Sequence, residues 1–237
     1  MTDALLDVRE VSVRFGGVHA LDAVSITITD EHRFWGLIGP NGSGKTTLFN
    51  TVSGLYQPSA GSVTGTALRR RRGTVPGLGR TFQHPRVFGR LSVVENLLAA
   101  SATMHRRAAA RRADELLELL SLGRVTDRLA GELSIGQQKL VELARALMRD
   151  PSLVLLDEVA AGIHPRLRRD IANHLRGLAG RGTSFLIIEH DMRFLMELCT
   201  RIFCMAHGKV IATGTPEQIR ADDRVAAEYL GRGHDRH

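Results

Sequence analysis

The chain has few cysteines, few aromatic residues and no long apolar run. Its two cysteines, Cys199 and Cys204, are too few for a disulfide framework, and their spacing matches no common metal motif, so we interpret them as core or surface thiols. No run approaches the roughly 18 apolar residues of a membrane-spanning helix. The N-terminal residues lack the basic region and apolar stretch of a signal peptide. These absences lead us to expect a soluble, cytoplasmic protein.

Acidic residues are fewer than basic ones, and the formal net charge is +7. Arginine dominates the excess, in runs at 69–72 and 106–112. Such an excess suits nucleic acid or an anionic membrane surface. Only 5% of the residues are aromatic, and few lie near these runs, which argues against base-stacking platforms. We therefore interpret the arginine runs as solvated helix faces and loops, and expect no nucleic acid partner.

The apolar residues, which with 43% of the chain can bury a core, predict an α/β fold. Alternating apolar positions at 5–15 and 23–29 predict a half-buried antiparallel sheet. Continuous apolar runs are typical of strands covered on both faces of a parallel sheet; they occur at 34–38, 153–156 and 185–188. Two further short strands are predicted near 202–205 and 210–212.

Between Leu91 and Met148 the pattern is helical. Residues 108–120 are rich in alanine, arginine, glutamate and leucine, with Gly123 as the predicted stop. Residues 135–148 place apolar side chains at helical spacing, at Leu140, Leu143, Ala144 and Leu147. We therefore predict that a helical insert at about 85–150 interrupts the α/β core.

Residues 39–46 form a complete phosphate-binding loop of the pattern G-x-x-x-x-G-K-[ST]. An apolar strand precedes it and a helix can follow it, so backbone N–H groups and a helix N-terminus can face phosphate oxygens. Lys45 can reach the β- and γ-phosphates, and the Thr46 hydroxyl can ligate Mg²⁺. The sequence therefore predicts nucleoside triphosphate binding. The predicted contacts are Gly39, Pro40, Asn41, Gly42, Ser43, Gly44, Lys45, Thr46 and Thr47.

Two carboxylates, Asp157 and Glu158, come directly after the apolar run at 153–156. This is a Walker B arrangement, in which Asp157 would hold Mg²⁺ through water and Glu158 would polarise the attacking water. Many strands end in a solvated acid, so the pattern alone is weak. A phosphate-binding loop earlier in the chain strengthens it, because the metal needs a carboxylate opposite Thr46.

The pentapeptide Leu133–Gln137 has two interpretations. Ser134 and Gln137 fit a capping box that opens the helix at 135–148, and this is a sufficient structural reason for both residues. Alternatively, Ser134, Gly136 and Gln137 at the helix N-terminus form a second phosphate site. A chain needs a second γ-phosphate site only if it pairs with another chain of the same kind.

The order of these motifs resembles that of ATP-binding cassette (ABC) ATPases. The five motifs, in chain order, are Gly39–Thr46, Gln83, Leu133–Gln137, Leu153–Glu158 and His190. The resemblance covers nearly the whole chain, and a generic phosphate-loop protein lacks the middle pentapeptide. It implies a P-loop NTPase fold of ABC type in one nucleotide-binding domain at 1–237, with a RecA-like core, an antiparallel β subdomain and a helical subdomain. ATP and Mg²⁺ are the implied cofactors.

The resemblance also implies roles for single residues. Phe15 would stack on adenine, although a core strand phenylalanine is the alternative. Gln83 would touch Mg²⁺ or the attacking water and face a membrane partner. His190 would contact the γ-phosphate, whereas the other histidines are expected at the surface. Residues 161–164 would form the D-loop, which crosses the interface between two cassettes.

Three positions depart from the pattern of the family. Ile135 stands where many members have a glycine, although Gly136 is retained. Val159 replaces a proline, for which we expect a small loop change. His164 replaces the aspartate or asparagine that is common in the D-loop, which bears on interface coupling and leaves ATP binding untouched.

Several strings are similar to the ATPases of branched-chain amino-acid importers, at 79–84, 160–162, 188–192, 214–220 and 226–231. The resemblance implies a second ABC ATPase, the same or paralogous, two integral-membrane permeases and, indirectly, an extracytoplasmic solute-binding protein. It implies a place at the cytoplasmic face of the membrane. Relatives that serve urea or amide uptake or lipopolysaccharide export are alternatives, as is a soluble ABC ATPase acting on nucleic acid.

Overall fold

The structure is a computed structural model that describes residues 4–68, 77–101 and 104–230. The chain divides into two compact units. The first combines the residues up to Leu68 with those from Ser184 onward, and the second runs from residue 69 to Thr183. The arginine run at 69–72 lies outside the described residues, as does Gly231, so the expectations that rest on them stay predictions.

An antiparallel sheet in the first unit is built from β1 (Leu6–Phe15), β2 (Val18–Ile28) and β4 (Ala60–Thr64), in the order β2-β1-β4. Its apolar residues alternate with polar ones, and Leu6, Val8 and Val11 are buried. The predicted antiparallel pair at 5–15 and 23–29 is therefore confirmed.

The first unit also contains a group of paired strands in the order β7-β3-β8-β9. Here β3 (Phe34–Ile38) runs parallel to β7 (Ser184–Ile188) and to β8 (Arg201–Ala206), and β9 (Lys209–Gly214) runs antiparallel to β8. Every residue of β3 and β7 is buried. The continuous apolar runs therefore predicted these strands correctly.

Strand β3 is held by aromatic stacking on both neighbours. Phe34 stacks on Phe185 with ring centroids 5.3 Å apart, and Trp35 stacks on Phe203 at the same distance. The indole N–H of Trp35 donates to the carbonyl oxygen of His32 at 3.0 Å, which satisfies the one polar atom of a buried ring. This packing fixes the strand from which the phosphate-binding loop emerges.

The helices of the first unit are α1 (Lys45–Val52), α6 (Met192–Leu198), α7 (Pro216–Ala221) and α8 (Asp223–Leu230). A short 3₁₀ turn covers Thr66–Leu68. No helix among the described residues has the length and apolar character needed to cross a membrane. Cys199 and Cys204 are both buried free thiols, which agrees with the core interpretation.

In the second unit β5 (Leu78–Arg80) pairs in parallel with β6 (Leu153–Asp157). Its helices are α2 (Val93–Ala99), α3 (Arg106–Leu119), α4 (Ile135–Leu147) and α5 (Pro165–Gly180), with 3₁₀ turns at Gly123–Val125 and Ala130–Glu132. The predicted helix at 135–148 is confirmed, and its four apolar positions are all buried. The helical subdomain at about 85–150 stays a prediction, and its residues lie within this unit.

The predicted stop of α3 at Gly123 is wrong, because the helix ends four residues earlier, at Leu119. Ser121 adopts a left-handed backbone with φ of 58°. The N–H of Leu122 then donates to the carbonyl oxygen of Leu117 at 2.8 Å. This is a Schellman closure, which usually places glycine at the left-handed position. A serine there gave no signal in the sequence.

The arginines of α3 are only partly a solvated face. Arg106, Arg107 and Arg111 are exposed, as predicted. Arg112 is half-buried, and its guanidinium donates to the carbonyl oxygen of Leu147 and to Asp150, each at 3.2 Å. It therefore ties α3 to the end of α4, and part of the positive charge is structural.

Candidate active site

The predicted phosphate-binding loop connects β3 to α1 in the first unit, and its backbone requires glycine. Gly39, Gly42 and Gly44 have φ of 151°, 80° and 104°. A Cβ on Gly39 would lie 2.2 Å from the carbonyl oxygen of Met205, and one on Gly44 would lie 2.6 Å from that of Ala20. A Cβ on Gly42 would meet nothing within 4 Å. The loop is thus packed on one side and open on the other.

Lys45 is the first residue of α1, and its side chain bends back over the loop. Its Nζ donates to the carbonyl oxygens of Gly39 at 2.8 Å and Pro40 at 3.0 Å. The side chain is buried, with 8% of the residue exposed. The loop therefore holds a positive charge at its mouth, next to the positive end of α1.

The Ser43 hydroxyl is the feature of the loop that suits a phosphate group. The Ser43 hydroxyl is buried and has no hydrogen-bond partner among the described residues. A buried hydroxyl without a partner costs free energy, on the order of 1–3 kcal/mol. A phosphate oxygen would accept from it, and Thr46, exposed at the start of α1, offers the hard oxygen that Mg²⁺ prefers.

Two further predicted residues of the first unit lie at strand ends. Phe15 ends β1 and is 48% exposed, with its ring edge-on to Tyr56 at 5.2 Å; it is therefore not a core residue. His190 follows β7 and is exposed. Asp191 caps α6 by accepting from the N–H groups of Arg193 and Phe194, which fixes the backbone directly after His190.

The two predicted carboxylates lie in the second unit, where β6 ends. Asp157 is buried, and its N–H donates to the Thr81 hydroxyl at 3.2 Å. Glu158 has a left-handed backbone with φ of 51°, which costs an L-residue about 1–2 kcal/mol. Strain of this kind is concentrated at functional sites. The backbone thus turns sharply at the residue predicted to act on water.

Gln83 and Glu158, predicted from separate motifs 75 residues apart, are in contact. The Gln83 amide nitrogen Nε2 donates to Glu158 Oε2 at 3.0 Å. The structure therefore brings together two of the three predicted catalytic residues within one unit. A carboxylate that faces an amide in this way can share a water molecule with it.

The pentapeptide 133–137 begins α4 as a capping box. The N–H of Gln137 donates to Ser134 Oγ, and the Gln137 side chain accepts from the N–H of Ser134, so the structural interpretation is confirmed. Ile135 is 56% exposed. A Cβ on Gly136 would lie 2.4 Å from Leu167 Cδ2 of α5, the far end of a flexible side chain that would have to move. The phosphate contact of this pentapeptide stays a prediction.

His164 does in this chain what an aspartate or asparagine would do at the same place. Its Nδ1 accepts the N–H of Arg166 at 3.2 Å and thereby caps α5. Imidazole is an unusual cap, but any side-chain acceptor within reach can satisfy the exposed N–H groups of a first turn. The departure at His164 therefore preserves the start of α5.

Two site residues were missed in the sequence, Lys139 and Glu142 of α4. Lys139 Nζ donates to the carbonyl oxygens of Glu158 and Ala161. The Glu142 carboxylate accepts the N–H groups of Phe82 and Arg86. A signal existed, since a charged pair three residues apart interrupts a helix whose other buried residues are mostly apolar. Periodicity alone cannot say which backbone groups such a pair reaches.

The segment after Gln83 is held by cation–π contacts. Arg86 lies over the ring of Phe82 with its guanidinium carbon 4.0 Å from the centroid, and Arg145 lies over Phe88 at 4.5 Å. The Asn96 side chain accepts from the N–H of Phe88 and donates to its carbonyl oxygen. Phe88 is nevertheless 50% exposed, so this segment presents an ordered aromatic ring to solvent.

The predicted metal ligands are divided between the units, with Thr46 in the first and Gln83 and Asp157 in the second. Among the residues that the structure describes, there is no cluster of three His, Cys, Asp or Glu side chains able to hold a metal ion. Mg²⁺ sites at phosphates use one or two protein oxygens plus phosphate oxygens and water. The Mg²⁺ ligands Thr46, Gln83 and Asp157 therefore stay a prediction.

Two sequence profiles of known families match the chain. The sequence profile of the family described as ABC transporter matches residues 21–161. A second profile, described as branched-chain amino acid ATP-binding cassette transporter, matches residues 209–235.

Curated relatives match over nearly the full length. The high-affinity branched-chain amino acid transport ATP-binding protein LivG of Salmonella typhimurium is 37% identical, over 98% of this chain and 99% of that protein. BraF of Pseudomonas aeruginosa, with the same description, is 35% identical over the same shares. The lipopolysaccharide export system ATP-binding protein LptB of Haemophilus influenzae is 38% identical over 88% of this chain and 89% of LptB.

Solved structures have the same fold. The ADP conformation of MJ1267, an ATP-binding cassette of an ABC transporter, superposes with a TM-score of 0.82 at 33% identity, covering 98% of this chain and all of the other. CbiO1 of Clostridium perfringens, part of the transporter complex cbiONQ, gives a TM-score of 0.80 at 27% identity, over 97% of this chain and 96% of that chain. The predicted fold is therefore confirmed.

Proposed function

This chain belongs to the ABC transporter ATP-binding family, and from that premise we propose that its ATP hydrolysis drives the import of branched-chain amino acids. The observation that carries the choice of solute is the match of residues 209–235 to a profile of branched-chain amino acid cassettes. Full-length relatives described as branched-chain amino acid transport proteins support it. LptB, an export ATPase, matches a smaller share of the chain.

The proposed chemistry assigns each residue a step. Glu158 accepts a proton from water as the water oxygen attacks the γ-phosphorus, the bond to the bridging oxygen breaks, and ADP and phosphate leave. Gln83 orients this water, and the 3.0 Å contact of Gln83 with Glu158 supports the pairing. Lys45 and His190 meet the charge that develops on the γ-phosphate. Thr46 and Asp157 would hold Mg²⁺, which would supply neutralisation of phosphate charge, and Phe15 would stack on adenine.

We further propose that two cassettes bind two ATP molecules head to tail. Ser134, Gly136 and Gln137 of one would contact the nucleotide held by the phosphate-binding loop of the other. The partner is a second copy or a paralogous ATPase. Two integral-membrane permeases, and through them a solute-binding protein, complete the importer, which places this chain at the cytoplasmic face of the membrane. Phe88, exposed yet ordered, supports permease docking beside Gln83.

The test is to capture the Glu158→Gln chain from native membranes in Mg-ATP and to identify the proteins that accompany it by mass spectrometry. We expect ATP binding to persist and turnover to be nearly abolished, so that the closed assembly accumulates. The proposal would be supported by the recovery of two polytopic permeases, a paralogous ATPase and a solute-binding protein that binds labelled leucine. Wild-type chain in ADP is the control.

Other outcomes would overturn parts of the proposal. Recovery of lipopolysaccharide export proteins would overturn the proposed solute and the proposed direction of transport. Ribosomal proteins or nucleic acid without membrane subunits would replace transport itself. Near-normal turnover by Glu158→Gln would refute Glu158 as the general base.

A further inference from the structure

Helix α4 carries a buried charged pair, Lys139 and Glu142, one turn apart. Each residue is only 4% exposed, and the surrounding buried positions of α4 include Leu140, Val141 and Leu143. Burying a charge is unfavourable unless hydrogen bonds replace its water. The groups that these two side chains bind therefore indicate why charged residues occupy these positions.

Lys139 binds the turn that follows β6. Its ammonium donates to the carbonyl oxygen of Glu158 at 2.6 Å and to that of Ala161 at 2.8 Å. These two carbonyls bracket the turn, and Glu158 itself has the left-handed backbone described above, with φ of 51°. One ammonium thus holds both ends of a strained turn, and the direction of the Glu158 side chain depends on that turn.

Glu142 binds the segment that carries Gln83. Its Oε2 accepts the N–H of Phe82 at 3.2 Å, and its Oε1 accepts the N–H of Arg86 at 2.8 Å. Gln83 lies between these two residues, so the backbone on both sides of it is held. Burial raises the pKa of the Glu142 carboxyl, and the N–H groups of Arg86 and Phe82 oppose this shift because they stabilise the ionised form. Arg145, one turn further along α4, donates to the carbonyl oxygen of Arg86.

The two segments meet at the 3.0 Å hydrogen bond from Gln83 to Glu158. We propose, on the basis of the proposed function, that Lys139 and Glu142 are positioning residues, which hold Glu158 and Gln83 in the arrangement that hydrolysis needs. Both act through backbone groups of these two segments. Because Ser134 is the N-cap of α4, the helix that would contact a partner's nucleotide also holds this chain's own catalytic pair.

The experiment compares steady-state hydrolysis by full-length Glu142→Gln, Lys139→Met and Lys139→Arg chains. Glu142→Gln replaces one of two acceptor oxygens with a donor, and Lys139→Met removes both donations at similar volume. We expect kcat to fall about tenfold or more in these two variants, while KM and Mg-ATP binding change less than about twofold. Lys139→Arg should restore most of kcat. Glu115→Gln, at a half-exposed carboxylate of α3, is the matched control and should keep its kcat.

A double-mutant cycle separates positioning from a general structural defect. If Glu142 acts through Gln83, then Glu142→Gln should lower kcat little further in a Gln83→Ala background. A structural defect would instead multiply the two losses. Multiplicative losses, or a wild-type kcat in both Glu142→Gln and Lys139→Met, would overturn the proposal.

Glu142→Asp provides a second variant should Glu142→Gln not fold. It keeps the charge but is too short to reach both N–H groups, so we expect the same selective loss of kcat, and an unchanged kcat would count against positioning. Glu158→Gln is assayed in parallel. If it retains turnover, the proposed general base fails; if it is inactive while the α4 variants are fully active, only the positioning role fails.

Discussion

Gln83 and Glu158 are joined by a 3.0 Å hydrogen bond although 75 residues separate them in the chain. The contact makes the orientation of the carboxylate dependent on the amide. We expect Gln83→Ala to lower kcat for ATP by about 100-fold, the loss expected when a reacting group is misplaced by about 1 Å, with little change in KM. Gln83→Glu would place like charges together and should be at least as damaging. Steady-state kinetics checks both, and an Ala variant with wild-type kcat would remove Gln83 from the catalytic set.

Lys45 bridges the carbonyl oxygens of Gly39 and Pro40 and carries the charge at the mouth of the loop. We expect Lys45→Ala to weaken Mg-ATP binding by about 100-fold, since a charged group that binds phosphate contributes roughly 1.5–3 kcal/mol. Lys209→Ala, which removes only the surface ion pair with Asp22, is the matched control. Equilibrium binding of a fluorescent ATP analogue measures both, and equal affinities would refute the assignment of the site.

The glycines of the phosphate-binding loop should differ in their tolerance of alanine. Gly39→Ala drives a Cβ to 2.2 Å from a backbone carbonyl oxygen, and we expect a loss of more than about 2 kcal/mol of stability. Gly42→Ala meets open space but keeps φ of 80°, for which about 1–2 kcal/mol is the expected cost. Gly17→Ala, with open space and no positive φ, is the control. Urea unfolding measures the order of stability of the three variants. A Gly39 variant as stable as the control would contradict the close packing of Gly39 against the Met205 carbonyl oxygen.

The two thiols should resist modification while the chain is folded. Burial raises the pKa of Cys204 to about 11 and raises that of Cys199 as well. At pH 8 the thiolate fraction of Cys204 is then ~100-fold below that of an ordinary thiol. We expect DTNB to react slowly with native protein and rapidly with two thiols in denaturant.

The raised thiol pKa also gives a sign for the pH dependence of stability. The folded state favours the neutral thiol of Cys204. The contribution of this thiol to the free energy of unfolding is therefore fully present below the ordinary pKa near 9 and is lost as the pH rises through about 11. Cys204→Ala should therefore lose less stability between pH 8 and pH 11 than the wild-type chain. Rapid labelling of native protein at pH 8 would contradict the burial of these thiols.

The strands were predictable from sequence because a covered strand needs uninterrupted apolar residues, as in β3 and β7. The capping box at Ser134 was predictable because it depends on residues three positions apart. The end of α3 was not, since Ser121 adopts a conformation that glycine prefers.

Long-range contacts of single side chains escaped prediction for a different reason. Lys139 reaches carbonyl oxygens 19 and 22 residues away, and no spacing rule encodes a contact between a helix and a distant turn. His164 replaced an expected residue yet retained the cap, because the cap needs an acceptor atom rather than a particular residue.

Trp35 is the one tryptophan of the chain, and it sits in the strand that leads into the phosphate-binding loop, stacked on Phe203. Intrinsic fluorescence excited at the indole band therefore reports on the first unit alone. The second unit, which holds Gln83 and Glu158, has no tryptophan and gives no signal when the indole band is excited. The wild-type chain thus carries an intrinsic fluorescent reporter for one unit, and a Trp35→Phe chain with one tryptophan introduced into the other unit would report on that unit instead.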